Sequence, residues 1–346
     1  MPADRTRLDA AWTALAELGV TLDDLQQDAR PPQPTVEAYL PKVVAAAGPG
    51  SRRAYRTYWT RMAMTWRDRP IDTITATEVQ AMQVQAAEHA TARRNHRDGR
   101  YAGELFLAAA RAFYNRAIAD NLINATDSPA HQIGKPRRLP STRRALTYTE
   151  LADINQVART TGNDPILDAL LLRLHTETAC RRGGALNLRR MDLDTDRGLV
   201  LLREKGGTTR WQPISLDLAT RLAEHARIRG AVLPTDTLLR YRNGRPLTGR
   251  RYDHLWHRIG HHLAWVAAHG VTVHWLRHTT LTWVERHFGY GIARAYAGHT
   301  DTTGPATTTY IRANLQDVAK ALAAMTGQPH PLAMADHGST GTSTST

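Results

Sequence analysis

The sequence predicts a mainly α-helical protein of two domains with one small β-hairpin, and three observations carry that expectation. Apolar residues recur at helical spacing through residues 35–129 and again beyond residue 147. Between these stretches, residues 134–145 (GKPRRLPSTRRA) hold two prolines and five cations without one acid, the composition of an extended linker. The helical period breaks once, in GLVLLREKGGTTRWQPIS, where two β-rich runs flank Gly206-Gly207.

Each element follows from local signals. Leu8, Trp12, Leu15 and Leu18 share a helix face before the acidic TLDDLQQD stretch, and Pro31, Pro32 and Pro34 then break the chain. A helix carrying Val36, Leu40, Val43 and Val44 ends at a GPGS turn, where Ser51 is expected to cap SRRAYRTYWTRMAMTW. Thr75-x-x-Glu78 is a capping box, and GELFLAAARAFYNRAIADNLI forms a further helix. Thr147-x-x-Glu150 is a second capping box and opens the second domain. After the hairpin, helices resume near Leu216, and Leu315, Val318, Ala319 and Leu322 make a last apolar stripe. The predicted organisation is an N-terminal helical segment at 1–33, a helical domain at 34–132, a basic linker at 133–146 and a second domain at 147–327. A Ser/Thr/Gly/Pro-rich tail at 328–346 reads as disordered.

Composition narrows the function. With 346 residues, 42% of them hydrophobic, the chain buries a full core. A formal net charge of +13 favours a polyanionic partner, nucleic acid above all. Cys180 is the one cysteine, which leaves no intramolecular disulfide and no cysteine-based zinc site. No apolar run reaches the roughly 18 residues of a membrane span, and Asp4 and Asp9 stand where a signal peptide is apolar, so a cytoplasmic location is expected.

Six residues form the candidate catalytic set. Arg181 lies in TACRRGGALNL, Lys205 at the hairpin tip, His274 and Arg277 at the ends of HWLR, His299 at the end of YAGH, and Tyr310 at the end of TTTY. A phosphodiester repels nucleophiles, and its pentavalent transition state gathers more negative charge. Preorganised cations address both, and a guanidinium binds two oxygens at once. Tyr310 would be the nucleophile. A phenol of pKa near 10 is only about one part in a thousand ionised at pH 7, so it needs a base, for which His274 is placed one helical turn before Arg277. His299 would donate to a phosphate oxygen and Lys205 would protonate the leaving 5′ oxygen. No cofactor or metal is called for, because the arginines supply the positive charge.

Taken singly these residues decide little: HxxR is a common pattern in a chain with 16 histidines. As an ordered set with their contexts, they resemble the tyrosine recombinase (phage integrase) family across residues 35–326. That family shows T-G-x-R-x-x-E-x-x-x-L-x-x-x-D, a β-hairpin lysine, H-x-x-R, L-G-H and a nucleophilic tyrosine. The matches are Arg181, Lys205, His274 with Arg277, His299 and Tyr310, with Leu188 and Asp192 at the structural positions. The resemblance implies a DNA breaking–rejoining fold in which a core-binding and a catalytic domain clamp the duplex. It also implies a 3′-phosphotyrosine intermediate formed without metal or ATP, and strand exchange by four protomers on paired double-stranded DNA sites, with the C-terminal helix docking on a neighbour.

Three departures stand out. Ala179 replaces the usual glycine. Gly184 stands where a glutamate is typical, and the lost carboxylate is expected to loosen the arginines. The segment from His299 to Tyr310 is about two residues longer than usual, with Gly304-Pro305 inside it. Tyr296 is a fallback nucleophile.

The expected DNA contacts are Arg52, Arg53 and Arg56 on one helix face, with Tyr55, Tyr58, Trp59 and Met62 toward the core. Lys135, Arg137, Arg138, Arg143 and Arg144 in the linker join them. Two functional alternatives stay open: a catalytically silent DNA-binding protein on the same fold, motivated by Gly184 and the longer His299–Tyr310 segment, and a type IB topoisomerase-like enzyme. A metal site at His254, His257 and His261 is a weaker reading, since no acid or thiol completes it. Cys180 reads as a small buried hydrophobe.

Overall fold

Side-chain caps open six of the helices among the described residues. The computed structural model describes residues 5–21, 32–90, 99–134, 143–204, 207–299 and 314–334. The chain divides into two units, residues 1–139 and 140–346.

In the first unit α1 (Arg5–Leu18) leaves Leu8, Trp12 and Leu18 exposed. α2 (Val36–Ala46) is capped by the Thr35 hydroxyl, which accepts from Ala38 N at 3.3 Å. α3 (Pro49–Thr65) starts three residues earlier than a Ser51 cap predicts: Gly48 is the cap, and Pro49, whose missing N–H costs nothing at the first helical position, preorganises the turn. α4 (Ala76–Glu88) opens on the expected Thr75/Glu78 box. α5 (Arg100–Ala119) crosses α4 closely at Gly103, where an added Cβ would lie 3.1 Å from the Gln83 carbonyl. α6 (Pro129–Gln132) closes the unit. The core gathers Val36, Tyr39, Trp59, Met62, Phe106 and Phe113, each worth about 1.5–3 kcal/mol when removed from water. Its polar handles are satisfied: the Trp59 indole donates to Ala109 O at 2.9 Å, and the Tyr114 hydroxyl to Ile71 O at 3.1 Å.

In the second unit α7 (Tyr148–Thr160) opens on the Thr147/Glu150 box. α8 (Pro165–Thr178) is capped by Asp164 and leads to α9 (Arg182–Leu186). The strands β1 (Leu193–Asp194), β2 (Leu199–Arg203) and β3 (Thr209–Pro213) form an antiparallel sheet in chain order, with Leu202 opposite Arg210. The hairpin was expected, whereas β1, at two residues, is too short to leave a periodic signal. There follow α10 (Leu216–Ile228), α11 (Gly249–His262), α12 (Ala264–Ala268) and α13 (Val273–Ala297). Gly289 breaks α13 at φ 83°, ψ 167°. Arg251 and Arg258 of α11 both pair with the fully buried Asp168 of α8, fixing the two helices together.

α14 (Leu315–Thr326) buries Val318, Ala321 and Leu322 with Val284, Tyr296 and Ala179 of the same unit. The apolar stripe of the helix expected to dock on a neighbour therefore packs within its own chain. Residues 328–334 of the expected disordered tail are ordered, and the rest of it lies outside the described residues. His330 is 1% exposed with its Nε2 3.1 Å from Gly198 O, and α15 (Pro331–Met334) follows. No helix among the described residues is long and apolar enough to cross a membrane.

Candidate active site

The site grows from the end of α8. Ala179 caps that helix in the left-handed region, φ 49°, a conformation that costs an L-residue about 1–2 kcal/mol. The turn leads through buried Cys180 to Arg181, which caps α9. It also presents the Ala179 carbonyl to Arg277 on the first half of α13, and Arg277 Nη1 donates to it. Nη2 of the same guanidinium donates to Ala297 O at 2.8 Å, so Arg277 is held from both sides while only 4% exposed.

Arg181, Arg277, His274 and His299 meet around one cavity of about 400 Å³, as the sequence predicts. Three further residues join them there: Leu281; His278, one position past HWLR; and Arg143, which the sequence assigns to the linker. The electrostatics are those of crowded cations. Burial, then Arg181, push the Arg277 pKa down to about 10. His274 reaches solvent at the rim, yet burial, then Arg143, Arg277, Arg181 and His278, hold it below the usual histidine value. Burial and then Arg277 and Arg181 lower His299 likewise. Such a cavity favours two neutral imidazoles beside arginines that an anion would relieve of their mutual repulsion.

The carboxylate missing at Gly184 is supplied elsewhere. Glu204, one residue past β2, is fully buried. Its Oε1 accepts from Arg181 N at 2.6 Å and its Oε2 from Arg181 Nη1 at 2.8 Å. Arg181 is thus braced, contrary to the expectation that Gly184 loosens it. Arg210 of β3 is a second residue the sequence reading missed. Its Nε lies 4.0 Å from Glu204 Oε2, and its buried charge contributes to lowering His299. The available signal was an acid, Glu204, inside an otherwise cationic hairpin.

Other expected residues lie elsewhere or are differently engaged. Lys205 and Tyr310 fall outside the described residues, as do Lys135, Arg137 and Arg138. Arg53 and Arg56 of α3 are exposed. Arg52, exposed too, donates from Nε to Ala47 O at 2.6 Å and from Nη2 to Ala45 O at 3.1 Å, closing the end of α2. Arg144 is paired with Glu150, Nη1 to Oε2 at 2.7 Å, and does not line the cavity. Trp59 and Met62 are buried, with Tyr55 and Tyr58 packed partly against the same core. Tyr296 is no nucleophile: it is 0% exposed, donates to Glu177 O, and burial raises its pKa well above the ordinary phenol value. Burial likewise pushes the Cys180 thiol up to about 11. His254, His257 and His261 lie on the exposed side of α11, and among the described residues no three metal-ligating side chains cluster.

Comparison with known proteins agrees with this geometry. A family model described as the phage integrase family matches residues 144–316. No curated protein matches the chain by sequence. Among solved structures, the fold is similar to a lambda integrase tetramer bound to a Holliday junction, at TM-score 0.59 and 19% identity, covering 87% of this chain and 90% of that one. A lambda integrase dimer bound to a COC′ core site gives TM-score 0.58 and 20% identity over 89% and 87%. The integrase of transposon Tn1549, in complex with transposon right end DNA, gives 0.57 and 16% over 85% and 100%.

Proposed function

The chain belongs to the phage integrase family, and on that premise we propose that it is a site-specific recombinase that cuts and rejoins DNA through a 3′-phosphotyrosine link. The observation that carries this reading is the meeting of Arg181, Arg277, His274 and His299 around a single cavity. A phosphodiester seated there places its non-bridging oxygens against two guanidinium groups whose positions are already fixed. The stabilisation of the pentavalent state then costs no reorganisation.

The Tyr310 oxygen attacks phosphorus as its proton passes to the neutral His274. The Oη–P bond forms, the bond from phosphorus to the 5′ oxygen breaks, and Lys205 delivers the proton that the leaving alkoxide needs. His299 donates to a non-bridging oxygen. Rejoining reverses each step with an incoming 5′-hydroxyl. The roles of Tyr310 and Lys205 rest on the sequence resemblance alone. Glu204 answers one of the two motives for a catalytically silent protein, because the brace that Gly184 lacks is present.

Double-stranded DNA is the partner. The exposed Arg53 and Arg56 of α3 would contact phosphates, alongside Arg52 and the linker cations Lys135, Arg137 and Arg138. Strand exchange on paired sites requires four copies. Because α14 spends its apolar face within its own chain, a partner would engage its polar face or the segment beyond it.

The deciding experiment selects DNA bound by the purified protein, builds a nicked suicide substrate from it, and looks for a covalent adduct in denaturing gels. Wild type should form the adduct and Tyr310→Phe should not. An adduct in neither, on DNA that both bind, overturns the reading.

A further inference from the structure

Glu204 and Gly184 are two halves of one arrangement. An added Cβ at Gly184 would sit 3.2 Å from Glu204 Cγ and 3.3 Å from its Oε1, so the carboxylate occupies the space that any side chain at 184 would need. The carboxylate is fully buried, and a buried charge persists only when it is paired and hydrogen-bonded. Both its hydrogen bonds come from Arg181, one from the backbone and one from Nη1, while the Arg210 guanidinium lies 4.0 Å away. The backbone contact fixes where α9 begins, and the side-chain contact fixes the rotamer of the guanidinium that the helix start carries. Glu204 is itself pinned, because its N–H donates to Thr208 O at 2.8 Å across the hairpin.

We propose that Glu204 is the positioning residue for Arg181, standing in from the hairpin for the carboxylate that position 184 lacks, and that it locks the strand leading into Lys205 to the first arginine of the site. The proposal rests on the phosphoryl-transfer reading above and deepens it. Glu204 touches no reacting atom. It holds Nη1 so that, among the described residues, the other guanidinium N–H groups of Arg181 keep no protein acceptor and remain for a phosphate. Removing the charge while keeping the shape breaks this. An amide at 204 can offer its oxygen to Arg181 N only by turning its NH₂ toward Nη1, where two donors face each other.

The test compares wild type, Glu204→Gln, Glu204→Gly and the exchange Gly184→Glu/Glu204→Gly. Covalent trapping on the nicked substrate is timed in single turnover, beside DNA affinity and thermal unfolding. Glu204→Gln should keep DNA affinity within about threefold and trap about 100-fold more slowly, as expected for a lost transition-state contact. A substrate with sulfur in place of the leaving 5′ oxygen needs no general acid. If Glu204 acts through Arg181, that substrate leaves the defect in place; a full rescue would place its effect on Lys205 and overturn the assignment. The exchange variant should trap at least about tenfold faster than Glu204→Gly alone, which a generic packing role does not predict. Separately, inorganic phosphate added to the free protein should raise the melting temperature of wild type, with about tenfold weaker affinity in Glu204→Gln. Equal phosphate affinity or equal trapping in a folded Glu204→Gln protein overturns the proposal. A wild type that forms no adduct defeats the recombinase reading instead, and the phosphate titration still decides Glu204.

Discussion

Arg277 Nη2 donates to the Ala297 carbonyl at 2.8 Å although the two residues are 20 apart along one helix. In a straight α-helix they would be separated by about 30 Å, far beyond the reach of an arginine. The break at Gly289 is what folds the second half of α13 back over the first and delivers His299 to the cavity rim. That backbone conformation, φ 83° and ψ 167°, is open essentially to glycine alone. No neighbouring atom lies within 4 Å of an added Cβ there, so substitution strains only the main chain. Gly289→Ala should lose about 1–3 kcal/mol in urea unfolding and, by displacing His299, slow covalent trapping more than it weakens DNA binding. Unchanged stability would mean the bend is not required.

The two arginines should fail differently. Arg277→Ala strips a donor from two buried carbonyls, Ala179 and Ala297, and should cost about 1–3 kcal/mol along with cleavage. Arg181→Ala leaves the buried Glu204 with one backbone donor and the Arg210 guanidinium at 4.0 Å, a comparable loss that adding Glu204→Gln should partly recover. Both single variants should cut at least about 100-fold more slowly while retaining much of their DNA binding. Near-normal cleavage by either removes it from the site, and equal stability of Arg181→Ala with and without Glu204→Gln would show that no charge is stranded.

Much of this was legible where the signal is local. The two Thr-x-x-Glu boxes, the Gly206-Gly207 hairpin and the order of Arg181, His274, Arg277 and His299 all depend on near neighbours in sequence. What escaped depends on contacts made only on folding. Gly184 reads as a deletion until Glu204, on another element, is seen filling its space. Arg143 reads as one of five linker cations, because nothing in its sequence context distinguishes it from Arg144, which turns to Glu150 instead. Ser51 misled because proline and glycine two and three positions earlier cap the helix more decisively than a hydroxyl.

Arg143 should behave as a cation of the active site. The proposed transfer of the Tyr310 proton requires a neutral His274, so trapping is expected to fall as pH drops through its pKa. After burial, Arg143 is the leading group holding that pKa down. Arg143→Ala should therefore move the acid limb of the rate profile to higher pH, and lower the salt-dependence slope of DNA binding by about one. An acid limb identical to wild type would separate Arg143 from His274.

Beneath Arg181, a buried histidine makes stability sensitive to mild acid. His175 is 1% exposed, with Nδ1 3.1 Å from Cys180 O and Nε2 2.9 Å from the Tyr252 hydroxyl. A carbonyl only accepts, so Nδ1 carries the proton and Nε2 accepts from Tyr252. Burial brings its pKa down from 6.5 to about 4, and His225, also buried, is lowered to about 4 as well. The unfolded chain thus binds protons first. Stability is full above pH ~6.5 and declines as pH falls toward 4, by about 3 kcal/mol for His175 alone. Glu78 and Glu150, lowered to about 2 by their arginine partners, add their own loss only below the ordinary carboxylate range. The interval between pH ~6.5 and ~4.5 therefore belongs to the histidines. His175→Gln should be less stable at neutral pH yet lose distinctly less stability across that interval, measured by urea unfolding at successive pH values. The same slope in both proteins would show that His175 does not stay neutral in the folded state.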